Sequence, residues 1–199
     1  MDIKTVLGAG SIVLALVGYF PYVRNVVKGK TKPHALSWLV WAVLSAIAFA
    51  IQVVNNGGAG AWLTGLAALA SIGIFFISLK KGETNILFVD WLSLLIATVA
   101  LALWFITDRP LLAVILISSV DAIGGFFPTF RKSFSKPYEE TASLYFIYAA
   151  SLMLSLAALR NFDLVNALYP GSFVLINLSM VVFLGVRRLQ LSSSSISND

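Results

Sequence analysis

Residues 5–24 read TVLGAGSIVLALVGYFPYVR, twenty positions in which the closing Arg24 is the one charge. An α-helix needs about 20 mostly apolar residues to cross roughly 30 Å of hydrocarbon, so this stretch predicts a membrane span. Its end also recurs. GYFPYVR at 18–24 returns as GFFPTFR at 125–131, which is 107 residues later. On the same spacing Lys80-Lys81 falls on Arg187-Arg188 and Trp62 on Tyr169, while Lys32-Pro33 recurs nearby as Lys136-Pro137. Marks at the first helix, the loop after it and the end of the third helix predict a duplicated three-helix unit.

The rest of the composition agrees with lipid as the solvent. Of 199 residues 59% are hydrophobic and 12% charged, and the mean hydropathy is +0.90. A soluble domain carries about a quarter charged residues, because its surface faces water. The absence of cysteine removes disulfides, thiol nucleophiles and cysteine metal clusters. The net charge of +5 does not point to nucleic acid, because the basic residues sit in short clusters between apolar runs. No small-residue cleavage site follows the first apolar run, which is therefore expected to stay as a helix rather than leave as a signal peptide.

Seven spans are predicted: Thr5–Val27, Ala35–Val54, Ala59–Leu79, Phe88–Ile106, Leu111–Phe130, Ala142–Leu159 and Val165–Val186. Eleven of the fourteen basic residues fall in one set of loops and Lys4, Arg109 and Arg160 in the other. The positive-inside rule then places the N-terminus outside and the C-terminus in the cytoplasm. Three spans are an odd number, so one linking helix restores parallel orientation of the two units. The expected plan is an all-α membrane protein with two parallel three-helix repeats joined by a linker helix, 3+1+3. Its parts are a first repeat over 1–82, the linker over 83–108, a second repeat over 109–190 and a disordered polar tail over 191–199.

That plan, with a proline near the cytoplasmic end of the first helix of each unit and a basic loop behind it, resembles the SWEET and PQ-loop superfamily. Pnu-type vitamin transporters share it. The runs GKTKPHALSWLVW and GAGAWLTG also resemble an uncharacterised bacterial group related to that superfamily. The resemblance implies the fold and a carrier or receptor role. It does not extend to sugar specificity: Tyr22 and Thr129 replace the motif glutamine, and Thr64 and Gly171 stand where the pocket asparagines belong.

Several residues are candidates for function. Pro21 and Pro128 each follow a glycine, Gly18 and Gly125, by three positions. A helix proline removes a backbone hydrogen bond and kinks the chain. Matched kinks serve either as hinges for a rocking motion or as static bends, and both readings stand. Asp121 lies in the apolar run LLAVILISSVDAIGGFFP. An ionised carboxylate in hydrocarbon costs at least about 2.5 kcal/mol, so such groups face a protein interior or a water cavity. It is expected to bind a polar or cationic solute or to couple transport to protons; the alternative is a neutral acid used in packing. Its counterpart in the first repeat is Leu14.

Asn177 is placed to meet a solute, whereas Gln52 reads as polar glue between helices. Trp41 with Tyr145, and Trp62 with Tyr169, are candidate cavity linings. Trp91 and Trp104 read as interfacial anchors, and Asp90 as a carboxylate at a helix N-terminus. His34, the one histidine, is expected to start the second helix. The cluster Arg24–Lys32 suits topology or anionic headgroups.

No catalytic residue, metal site or cofactor is expected, and no enzyme activity. The expected partners are the lipid bilayer and a small polar solute, with a homo-oligomer possible and nucleic acid excluded. The location expected is a bacterial cytoplasmic (inner) membrane. The function expected is a carrier working by alternating access between the two units; the alternative is a non-transporting receptor or scaffold on the same fold.

Overall fold

In the computed structural model, which describes residues 2–83, 88–122 and 126–196, the opening stretch forms one helix, α1 (Ile3–Val27). Its two faces are sorted opposite to those of a water-soluble helix. Gly8, Ser11, Ala15, Gly18, Tyr19 and Tyr22 are buried, while Val13, Leu16, Val17 and Phe20 point outward. Small and polar residues let helices approach and bond inside, and large apolar ones suit lipid outside.

Seven more helices follow among the described residues: α2 (Ala35–Val54), α3 (Trp62–Lys81), α4 (Phe88–Thr107), α5 (Pro110–Val120), α6 (Phe126–Ser135), α7 (Ala142–Ala157) and α8 (Leu164–Ile196). Local chemistry sets the ends. Gly29, at φ +71°, follows α1, and the N–H groups of Gly29 and Lys30 close onto Val26 and Asn25 carbonyls. Asn56, at φ +56°, does the same after α2, with Asn56 and Gly57 bonding back to Val53 and Gln52. Both are Schellman-type stops that need a left-handed residue. The His34 ring accepts the Ser37 backbone N–H and so caps α2. Pro110 opens α5, where a missing N–H is harmless.

Four stretches are long and apolar enough to cross a membrane: Ile3–Val27, Ala35–Val54, Gly58–Lys81 and Leu164–Ser192. Pro110–Val120 and Ala142–Ala157 are apolar but shorter. Together with the outward apolar faces, they support an integral membrane protein.

The packing follows one rule at both ends of the chain. α3 packs against both α1 and α2, and α8 packs against both α5 and α7. The broadest junction between the first group (α1–α3) and the last (α5–α8) is α1 on α7. Gly18 makes that approach possible, since a Cβ there would stand 3.0 Å from Ile147. α4 lies against α5 and α2.

Two elements differ from the sequence expectation. Over the span expected at Leu111–Phe130, α5 gives way to π-type backbone at 121–122, and the described residues from Phe126 on form α6. Asp121 thus lies in the π-type backbone directly after α5, and Pro128 lies in α6. Gly125 lies outside the described residues. The tail expected to be disordered from 191 continues α8 as far as Ile196. Extending a helix already nucleated is cheap compared with starting one.

Candidate functional site

Between the first and last helix groups lies a cavity of about 30 Å³, room for roughly two or three water molecules. Tyr19, Trp38, Trp41, Ser45, Ala67 and Ser71 line one side, and Phe126, Leu144, Tyr145, Tyr148, Phe173 and Asn177 the other. All are buried. Helical spacing explains the selection. Trp38, Trp41 and Ser45 are three and four apart on α2, as are Leu144 or Tyr145 and Tyr148 on α7, and Phe173 and Asn177 on α8. The wall is aromatic with hydroxyls and one amide. Trp38 meets Trp41 edge-on at 4.8 Å, Trp41 meets Phe126 at 4.9 Å, and Tyr19 meets Tyr148 at 5.8 Å. Asn177 donates to the Phe173 carbonyl at 2.8 Å.

Asp121 lies behind this wall, with no exposed surface. Neither carboxyl oxygen has a hydrogen-bond partner, and the indole Nε1 of Trp41 beside it has none either. The two groups are close enough to interact, yet their geometry falls short of a hydrogen bond. Ser118, one turn earlier, also has a buried hydroxyl without a partner. Leaving such a group unpaired costs about 1–3 kcal/mol, so three together mark a place able to take up a proton or a polar partner. Tyr148 and Tyr169 are within electrostatic reach of Asp121.

The two groups are tied at both ends of the cavity. At the end bearing most of the basic loops, Lys132 on α6 pairs with Glu140 at 2.7 Å and also donates to the Lys32 carbonyl of the first group. Glu140 accepts from the Tyr145 hydroxyl at 3.0 Å, and its carbonyl accepts from Arg188 at 2.7 Å. Thr31 and Thr141 share a 2.7 Å hydrogen bond, and Asn25 reaches Thr141 at 3.3 Å. At the opposite end the Gln52 amide donates to the Asn166 carbonyl at 2.8 Å. The Arg160 N–H meets the Gly57 carbonyl at 3.0 Å, Ser155 the Gly60 carbonyl at 2.7 Å, and Lys4 the Leu159 carbonyl at 2.7 Å.

The structure therefore brings Trp41, Tyr145 and Asn177 to one cavity and puts Asp121 just behind it. Tyr169 is buried and holds the cavity residue Ser45 through its hydroxyl at 3.2 Å. Its sequence partner Trp62 is 42% exposed and away from the wall. Pro21 lies within an unbroken α1. Gln52 does join helices, as polar glue would. Trp91 is exposed, Trp104 is half-buried and stacked on Phe105, and the side chain of Asp90 lies outside the described residues.

Glu140, Lys132, Tyr19, Tyr148, Ser45 and Ser71 went unnoticed in the sequence. Glu139-Glu140 is the one adjacent acidic pair in the chain and sits inside a basic loop, a signal that could have drawn attention to it. The serines and tyrosines give none, because only packing separates an inward hydroxyl from an outward one. Among the described residues, no three His, Asp or Glu side chains cluster as a metal site would need. Comparison with protein-family models, curated protein sequences and solved structures returned no match.

Proposed function

We propose that this chain is a membrane carrier that moves a small polar solute by alternating access, its first and last helix groups rocking about the central cavity. The observation that carries the reading is the cavity itself: hydroxyls, an amide and aromatic faces gathered between two helix groups that are tied to one another at both ends. A static bundle would gain by filling such a space with apolar side chains. In this conformation it has room for a few waters, so a solute enters only when one set of ties opens.

The shared neighbour order, third helix packed against first and second in both groups, supports a seven-span 3+1+3 plan with α4 as linker. The basic loops support an outside N-terminus and a cytoplasmic C-terminus, as in a bacterial inner membrane. Asp121 serves as the proton-coupling or solute-orienting acid, with the unpaired Trp41 indole N–H beside it.

Solute flux into proteoliposomes, with and without a pH gradient, tests the proposal on a panel of sugars, vitamins and amino acids. Saturable uptake of one class is expected, with Asp121→Asn cutting it about tenfold or more, the loss of roughly 1.4 kcal/mol of stabilisation. No flux for any class, together with a harmless Asp121→Asn, would leave a receptor or scaffold.

A further inference from the structure

Tyr145 belongs to two structures at once. Its ring lines the central cavity, and its hydroxyl donates to one oxygen of Glu140 at 3.0 Å. The other oxygen of Glu140 accepts from Lys132 at 2.7 Å, and the same ammonium donates to the carbonyl of Lys32 in the first helix group. A continuous chain of polar contacts therefore runs from the cavity wall, through one buried carboxylate, to the contact that joins the two groups at the basic end. Glu140 is 5% exposed and Lys132 nearly as buried in its side chain, at 8%.

We infer that Tyr145 is a positioning residue that couples the cavity to the basic-end tie, an inference that rests on the carrier reading above. A solute oxygen in the cavity competes with Glu140 for the Tyr145 proton. When it wins, the carboxylate is no longer held in the orientation that presents its other oxygen to Lys132, and as it turns away the ammonium no longer bridges to Lys32. Occupancy then loosens the tie on that side. A buried ion pair suits this task because displacing one partner leaves an uncompensated buried charge, so a small change in orientation carries a large energy. Among the described residues the ties at the opposite end run from Gln52, Asn166, Arg160, Ser155 and Lys4, none of which lines the cavity, and the cavity residue Ser45 meets Tyr169 through a neutral bond with no ion pair behind it.

The chain has no cysteine, so Ser71→Cys in the cavity wall makes a single reporter. Its labelling rate with a membrane-impermeant methanethiosulfonate, added from the basic-end side of oriented vesicles, reads access through that end. Slow labelling is expected in the reporter alone. Glu140→Gln and Lys132→Met should each speed it about tenfold or more, and Lys132→Arg, which keeps both contacts, should not. The deciding variant is Tyr145→Phe, which keeps the ring and removes the hydroxyl. It should speed labelling severalfold although it touches neither Lys132 nor Lys32, and thermal unfolding in detergent should show that each variant still folds. Unchanged labelling in folded Tyr145→Phe would overturn the coupling, and so would equal acceleration by Gln52→Leu at the far end. A working tie without solute flux would sink the carrier reading alone; flux with a tie indifferent to Tyr145→Phe would sink the coupling alone.

Discussion

The two ends of the cavity are closed by different physics. At the basic end the Lys132 ammonium, held by Glu140, donates to the Lys32 carbonyl across the groups, Lys32 and Glu139 form a rim pair at 3.7 Å, and Thr31 meets Thr141. At the opposite end the groups meet through shape and mostly neutral hydrogen bonds, with the Lys4 ammonium on the Leu159 carbonyl as the charged donor and no buried ion pair behind it among the described residues. A Cβ on Gly60 would stand 2.7 Å from the Leu159 backbone across the groups, and, within the first group, one on Gly8 would stand 2.7 Å from the Ala59 carbonyl oxygen. Charge contacts are lost all at once when a partner leaves, whereas close backbone packing resists any added atom. The basic end is thus built to switch and the other to hold.

That contrast can be broken by substitution. The largest effect is expected from Glu140→Ala, which strands the Lys132 ammonium in a buried site. A loss of about 3–5 kcal/mol is the usual outcome of breaking such a pair, readable as a fall in thermal midpoint in detergent. Gly60→Ala comes next, about 1–3 kcal/mol through overpacking against backbone that cannot rotate away. The same methyl at Gly18, which meets only the side chains of Ile147 and Leu144, should cost less. Gln52→Leu removes a neutral bond worth about 1 kcal/mol, partly offset because its buried Oε1 has no partner to lose. Lys32→Ala, at a side chain 49% exposed, should change stability by no more than about 0.5 kcal/mol. If Gly60→Ala proves milder than Lys32→Ala, the contrast between the two ends is mistaken.

Much of this frame was legible in the residues. The starts of α2 and α7 at Ala35 and Ala142 coincide with the predicted spans, because Pro33-His34 and Lys136-Pro137 interrupt apolar runs plainly. The π-type backbone at 121–122 was not legible. An apolar run looks alike whether its helix stays α or widens there, and the widening depends on what surrounds it. The candidate site was legible only where a residue type is unusual for its depth. Asp121 and Asn177 stand out among hydrocarbon neighbours, and Trp41 with Tyr145 stood out as a matched pair. Trp62 looked the equal of Tyr169 by spacing, yet it faces outward, since the repeat does not dictate which side of α3 meets its neighbours.

By itself, then, the order of residues determined that lipid is the solvent, where most helices begin, and which loops share the basic end. These are local matters: span length, turn chemistry and the sign of charge. Only the tertiary structure decided that Glu140 is buried, that Lys132 touches both helix groups, and that hydroxyls from α1, α2, α3 and α7 converge on one cavity. Burial and contact between residues a hundred positions apart depend on helix rotation and neighbour order, which no short stretch of sequence encodes.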